Sequence, residues 1–464
     1  MNRLLLSLAA LLANLGATSA APAPNVIVFF IDDLGWSDLG CYGSTFYETP
    51  NLDRLASSGV RFTHSYSANP VCSPTRAAAM TGKAPQRVGI TQWIPQPSDV
   101  TLPKEETTLG EAFREAGYAT GYTGKWHLGE KDDQLPNSHG FTWMKATNRA
   151  GQPASYFYPY AKKNKRGSYW NVPDLSSGEP SDYLSDALTD QAIHFIDRHQ
   201  AQPFFLYLAH YAVHTPIQAP KSLVAKYQKK RHQRYGDSPT PTVPGPHETV
   251  SRGRQDHPAY AAMIENLDRN IGRVLDRVKQ LGLEENTIIV FTSDNGGHCH
   301  LKNSPGVTSN LPLRSGKGWT YEGGIRIPTI IAWPGKIAPA TSQVPSITMD
   351  LFPTLLELSG QPLLPEQHLD GRSLVSALDG QPKAALKSRA LYWTYPHAHG
   401  SGHQPSHAIQ KDGWKLIHFD ADQSDALYHL ERDIREQHDL AGKHPEKVQA
   451  LREELMDWIK KTTP

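Results

Sequence analysis

Three apolar runs, each closed by polar residues, constrain this chain more than any other feature. Asn25-Val26-Ile27-Val28-Phe29-Phe30-Ile31 stops at Asp32-Asp33, Pro203-Phe204-Phe205-Leu206-Tyr207-Leu208-Ala209 at His210, and Thr287-Ile288-Ile289-Val290-Phe291-Thr292-Ser293 at Asp294-Asn295. Short continuous runs, rather than alternating ones, suit strands covered on both faces, as in a parallel sheet between helices. Ligands of open α/β sheets collect at the carboxyl ends of such strands. The residues that close the runs are therefore candidates for chemistry. A shorter strand from Tyr118 to Thr123 brings Gly124-Lys125-Trp126-His127-Leu128-Gly129 into the same class. Lys125 and His127, two apart on an extended segment, point the same way and can address one anion.

Helices fill the intervals. Thr108–Gly117 reads as a capped helix stopped by glycine, and a second runs over Asp182–His199. Tyr260, Met263, Ile264, Leu267, Ile271, Val274, Leu275 and Val278 share one helical face that packs on the sheet. Pro328–Pro334 is a further strand and Asp350–Ser359 a further helix. With 464 residues, 38% of them hydrophobic, the chain can bury one large α/β domain and a smaller second one. Leu369-Asp370-Gly371 and the run to Lys387 mark the boundary, giving residues 21–380 and 381–464. The latter holds short strands at Ala390–Trp393, Trp414–Ile417 and Ala426–Leu430 and a final helix near Glu446–Lys460.

Lys+Arg at 47 against Asp+Glu at 46 leaves no basic excess, so nucleic acid has no compositional support as a partner and any attraction for anions is local. Met1-Asn2-Arg3, the apolar run Leu4–Leu15 and the small residues Gly16-Ala17-Thr18-Ser19-Ala20-Ala21 read as a signal peptide over residues 1–20. A periplasmic or secreted protein is expected. The run is short of the ~20 apolar residues that a membrane span needs, and no later stretch reaches that length.

Val71-Cys72-Ser73-Pro74-Thr75-Arg76, running into Ala77-Ala78-Ala79-Met80-Thr81-Gly82, sets a thiol at a helix start and an arginine one turn later. Backbone N–H groups and the positive end of the helix dipole favour an anion there. Cys72-x-Pro74-x-Arg76 with Thr81-Gly82 resembles the signature of the type I sulfatases, whose cysteine is oxidised after translation to formylglycine. Further segments resemble the same family in the same order: Ile31-Asp32-Asp33-Leu34-Gly35-Trp36-Ser37-Asp38, Thr49–Ala56, Gly124–Gly129, His214-Thr215-Pro216, and Leu313–Gly318 with Tyr321–Pro328.

The resemblance implies an alkaline-phosphatase-like α/β fold: a mixed, mostly parallel sheet between helices, with a small C-terminal α+β subdomain built on antiparallel strands. It implies one Ca2+ per chain, held by Asp32, Asp33, Asp294, Asn295 and the modified Cys72. Oxygen-only ligands suit such a hard cation. Arg76, Lys125, His127, His214 and Lys317 then offset the charge on a sulfate and on its transition state. The implied mechanism is covalent. Hydrated formylglycine, activated by the metal and by Asp294 as base, attacks sulfur while His214 or Lys317 protonates the departing alcohol, and His127 takes the proton whose removal expels sulfate. Maturation requires a formylglycine-generating enzyme or its equivalent.

Substrate contacts are read less directly. The segment Arg149–Gly178 interleaves Tyr156, Phe157, Tyr158, Tyr160, Tyr169 and Trp170 with Lys162, Lys163, Lys165 and Arg166, which suits either a sulfated sugar or local packing. His397, His399, His403 and His407 share a glycine-containing stretch read as a loop on the cleft rim, and His210 is placed beside the substrate. Gln410 stands where relatives often carry arginine, so no role is carried over to it. Lys221–His257 reads as a basic, proline-containing surface insertion, either over the cleft or free of it. Cys41 and Cys299 lie just beyond the two metal loops and are either a disulfide or two thiols. An exported sulfatase acting on a sulfated saccharide is the expected function. A phosphodiester or phosphonate ester hydrolase of the same fold, or a glycan-binding relative with Cys72 unmodified, are the alternatives. Cys72→Ala and Cys72→Ser are both expected to reduce aryl sulfate turnover to background, measured in a host that does not modify serine.

Overall fold

A computed structural model describes residues 23–163, 169–301 and 304–463. The signal segment, Lys165 and Arg166 lie outside the described residues. The main sheet is built from β1 (Asn25–Ile31), β2 (Val60–Phe62), β3 (Ala119–Gly124), β4 (Trp143–Lys145), β5 (Phe204–Ala209), β6 (Thr287–Ser293), β7 (Thr329–Ala332) and β8 (Ala340–Ser342). Their order across the sheet is β8-β2-β7-β6-β1-β5-β3-β4. Only β7 runs against its neighbours. Every residue of β1, β5 and β6 is buried, as their unbroken apolar sequence requires.

Alternate side chains of these strands feed two cores. Ile27, Phe29, Ile31, Leu206, Leu208 and Phe291 pack against α4 (Leu184–His199) and α6 (Pro258–Gln280). Val26, Val28, Phe30, Phe205, Tyr207 and Val290 pack on the other face against α2 (Cys72–Thr81), α3 (Leu109–Glu115) and α7 (Leu351–Leu358). The helix α1 (Pro50–Ser58) lies beside α6 through Asn51 and Asp268. The predicted cap of α3 is a reciprocal one: Thr108 accepts from the Glu111 N–H, and the Glu111 carboxylate accepts from the Thr108 N–H.

The C-terminal part is a four-stranded antiparallel sheet, β9 (Leu391–Tyr395), β10 (Ser406–Lys411), β11 (Trp414–Phe419) and β12 (Ser424–His429), covered by α8 (Pro445–Thr462). Lys415 of β11 is wholly buried and bonds Glu322 at 3.0 Å and Glu436 at 2.9 Å. Glu322 also pairs with Arg326 at 3.2 Å, so the loop after Lys317 is tied to the second sheet through a buried ion network.

Two readings need correction, and one left open is decided. Lys221–His257 is neither a lid nor a free loop: it forms α5 (Lys221–Tyr235) and a short hairpin, Thr242–Pro244 with Val250–Arg252. Its apparent surplus of cations is spent on neighbours, Lys226 and Lys230 on Glu48 and Lys226 also on Glu265, while Leu223 and Tyr227 are buried. Cys41 and Cys299 are separate thiols. Burial raises both to about 12, and each is held in its own surroundings, Asp53 and Arg61 for Cys41 and Ser251 for Cys299. His407 belongs to β10 rather than to a loop, and its ring meets Thr394 and Asp420.

Candidate active site

Strand register brings the strand-end candidates together. Ile31 pairs with Ser293, so Asp32-Asp33 and Asp294-Asn295 leave adjacent strands side by side. Phe30 pairs with Ala209 and Ala209 with Gly124, which carries the same edge through His210 to Lys125. Gly124 makes that last turn possible. Its φ is +101°, and a Cβ there would sit 2.0 Å from the Ala209 carbonyl oxygen.

A dense set of charge contacts follows. Lys125 Nζ lies 2.8 Å from both oxygens of Asp32. Arg76 donates from Nε (2.9 Å) and Nη2 (2.7 Å) to Asp294 Oδ2, and from Nη1 to the Lys125 carbonyl. Lys317 Nζ is 2.7 Å from Asp33 Oδ1, and the Asn295 amide donates to the same oxygen at 2.8 Å. Burial alone would raise the Asp33 carboxyl, but Lys317, then His214 and Lys125, hold it well below the usual carboxylate range.

Cys72 opens α2, as its sequence predicts, with Val71 as the extended residue before it. Its Sγ lies 3.2 Å from His127 Nδ1, and the His127 Nε2–H donates to the Ile94 carbonyl at 2.8 Å. That second bond fixes the tautomer and leaves Nδ1 as an acceptor toward side chain 72. Burial and the neighbouring Lys125 push the imidazole well below its ordinary range, so it is neutral. His214 donates from Nδ1 to the Thr215 carbonyl at 3.0 Å, and its Nε2 lies 3.5 Å from Asp33. Tyr156 braces this turn, its hydroxyl reaching the carbonyls of Tyr211 and His214.

These groups meet a cleft of about 450 Å3 lined by Cys72, Trp93, Ile94, Pro95, Gln96, His127, Ala150, Gly151, Gln152, His214, Lys317 and His399. Arg76 and Lys125 do not line it; they stand behind Asp294 and Asp32. His210 is fully buried with neither ring nitrogen hydrogen-bonded, and burial lowers it to about 3, so the expected substrate contact is not formed. His397 bonds Thr91 and stays off the cleft, and His403 is buried against Trp319 and Tyr395. His399 alone of that group reaches the cleft. Tyr156 and Tyr160 are core residues with Phe157 and Tyr158 packed against them, and among the described residues this segment gives the cleft Ala150, Gly151 and Gln152. Residues 93–96 were not singled out in the sequence. The signal available was a tryptophan set among glutamine and proline, where an apolar ring has no core to join.

Among the described residues, Asp32, Asp33 and His214 present ligand atoms within 4.8 Å of one another. Asn295 Oδ1 is buried without a hydrogen-bond partner. A buried acceptor with no donor beside three carboxylates fits a hard cation.

Strand order, the site at the strand ends and the second antiparallel sheet define the alkaline-phosphatase-like α/β class. The sulfatase family profile matches residues 24–361, and that of the N-sulphoglucosamine sulphohydrolase C-terminal region matches residues 315–463. N-acetylgalactosamine-6-sulfatase of Canis lupus familiaris is 37% identical over 84% of this chain and 72% of its own. Arylsulfatase A of Homo sapiens is 34% identical over 96% and 89%. The crystal structure of Ps i-CgsB in complex with k-i-k-neocarrahexaose superposes with a TM-score of 0.79 at 30% identity, over 94% of this chain and 92% of that one. The chain belongs to the sulfatase family and is a sulfuric ester hydrolase.

One contact is testable at once. A Cβ on Gly151 would fall 2.3 Å from His127 Cε1 and 2.6 Å from Nε2. Gly151→Ala is expected to displace the ring and lower kcat for an aryl sulfate roughly 100-fold, as misplacements near 1 Å do, while the thermal midpoint stays close to wild type.

Proposed function

We propose that this protein hydrolyses sulfate esters on a sulfated saccharide, with Ca2+ held by Asp32, Asp33, Asp294 and Asn295 and with formylglycine made from Cys72. The observation that carries the reading is the 3.2 Å approach of Cys72 Sγ to the His127 Nδ1 acceptor, on the cleft that Lys317 and His214, both beside Asp33, also line. The names of two relatives, N-acetylgalactosamine-6-sulfatase and a protein crystallised with neocarrahexaose, support a carbohydrate.

Charge balance supports an anionic substrate. Asp32, Asp33 and Asp294 are matched by Lys125, Lys317 and Arg76, one cation to each carboxylate. A dication bound there would leave the site net positive, which suits an anionic substrate. When bound, calcium supplies Lewis-acid activation, and the aldehyde supplies a hydrated nucleophile for sulfur.

The chain's own residues do the rest. His127 Nδ1 is poised to take a proton from side chain 72, a role we assign to it rather than to Asp294. Both Asp294 oxygens are engaged, Oδ2 by Arg76 and Oδ1 by the Asp33 N–H at 3.1 Å. Lys317 and His214 flank the cleft where the departing alcohol oxygen would lie, and Lys317 keeps its proton because Asp33, against the effect of burial, raises it. Arg76 and Lys125 hold the carboxylates in place and face no substrate. Fixed dipoles and charges of this kind stabilise developing charge without reorganising.

Purified protein is expected to turn over an aryl sulfate at least roughly 100-fold more efficiently than the matching aryl phosphodiester, the margin a site built for one charged group gives over a poorer match. Chelation should abolish the activity and calcium should restore it. Turnover of the diester at an equal rate would favour the phosphodiesterase alternative, and full activity after chelation would remove the metal from the account.

A further inference from the structure

The cleft has two chemically different ends. Its base carries Cys72, His127, His214 and Lys317. Its walls are Trp93, Ile94, Pro95, Gln96, the segment Ala150–Gln152 and His399, and none of these carries a permanent charge. The one permanent cation lining the cleft among the described residues, Lys317, is committed to Asp33 at 2.7 Å. Arg149, next to the wall in sequence, pairs its guanidinium with Asp132 and is 55% exposed.

The wall groups are oriented by their neighbours. The Thr215 hydroxyl donates to Gln152 Oε1 at 3.1 Å, which leaves the Gln152 amide N–H groups as donors. Gln96 donates its own amide to the Arg149 carbonyl, which leaves Oε1 as an acceptor. His399 Nδ1 accepts the Ser401 N–H at 3.1 Å, so its proton sits on Nε2; burial, then Lys317, lowers this ring to about 3 and keeps it neutral. Trp93 is 42% exposed, whereas Trp126, Trp319 and Trp393 are fully buried. A large indole left in water beside neutral donors and acceptors has the makeup of a platform for a sugar ring, whose C–H face stacks and whose hydroxyls hydrogen-bond.

Resting on the sulfatase reading above, we propose that the sugar bearing the scissile sulfate is an uncharged ring laid on Trp93 and addressed by Gln96, Gln152 and His399, and that a ring carrying a carboxylate or a second sulfate is rejected. A second anion on that ring would enter walls that, among the described residues, hold no unpaired cation, and burying a charge without a partner is strongly unfavourable. The sulfate itself is matched at the base, so the discrimination falls on the ring and not on the reaction.

The test uses the mature protein and paired substrates: monosulfated galactose, N-acetylgalactosamine and N-acetylglucosamine, each beside its disulfated counterpart, with a sulfated uronate and an aryl sulfate. The best neutral sugar is expected to exceed every doubly charged one by roughly 100-fold or more in kcat/KM. Trp93→Ala should lower kcat/KM for that sugar roughly 10-fold, mainly through KM, as loss of uniform binding does. Trp93→Phe should recover most of the loss, and inhibition by inorganic sulfate, which needs only the base, should move less than about twofold. Gln152→Lys, which adds the missing cation, should narrow the gap between singly and doubly charged sugars. Equal or better turnover of a doubly charged sugar, or an unchanged KM in Trp93→Ala, overturns the proposal while leaving the sulfatase reading intact. No neutral sugar turned over by protein active on the aryl sulfate also overturns it. Failure on the aryl sulfate itself would instead remove the reading on which the proposal rests.

Discussion

The structure depends on holding three carboxylates together out of water. Asp32, Asp33 and Asp294 are fully or almost fully buried at the ends of neighbouring strands, where their mutual repulsion would be severe if unopposed. Each is met by one cation from a different part of the chain: Lys125 from the end of β3, Lys317 from the loop beyond β6, and Arg76 from the second turn of α2. The parallel sheet supplies the rigid edge that makes such convergence reproducible, since its register leaves little freedom in where the residues after β1, β5 and β6 emerge. Arg76 has a double duty, because the same helix that delivers it also carries Cys72 at its first position.

The second sheet contributes to the site at two points. Lys415 fastens the Glu322 loop from below, and the connection between β9 and β10 sends His399 to the cleft. The end of β9 and this connection meet the segment bearing Trp93, Tyr395 at Gln92 and His397 at Thr91. The neutral wall is therefore assembled from both parts of the molecule, whereas the charged base belongs to the main sheet and its loops. Such a division lets a ring-binding wall vary without disturbing the chemistry beneath it.

The strands that frame the charged base were legible in the sequence because unbroken apolar runs mark strands buried on both faces, whereas the choice of Asp32, Asp33, Asp294, Lys125, His214 and Lys317 as its members came from the resemblance to sulfatase motifs, since a polar residue after a strand is often only a cap or a turn. The helix start at Cys72 and the cap at Thr108 were legible for the same local reasons. His210 was misplaced because a strand-end histidine looks the same in sequence whether it enters a cleft or the interior. The cations of α5 looked like a free surface because Glu48 and Glu265, which neutralise them, lie far away along the chain. Trp93, Gln96 and Gln152 sit on irregular segments whose course is set by tertiary contacts, such as Thr215 to Gln152, that no local pattern encodes. Gly151 has the same origin: its requirement comes from the His127 ring packed against it. Described residues of the protein include no helix long and apolar enough to cross a membrane.

We propose that the buried oxygens at the ends of β1 and β6 form one cation site, completed by Asn295 Oδ1, which has no hydrogen-bond partner. Calorimetric titration of metal-free protein with calcium, wild type against the near-isosteric Asn295→Leu, addresses it directly. The account predicts one ion per wild-type chain and an affinity at least roughly 10-fold weaker in the variant, as expected when a ligand oxygen is lost. Wild-type protein that binds no calcium, or a variant that binds it equally well, would contradict the claim.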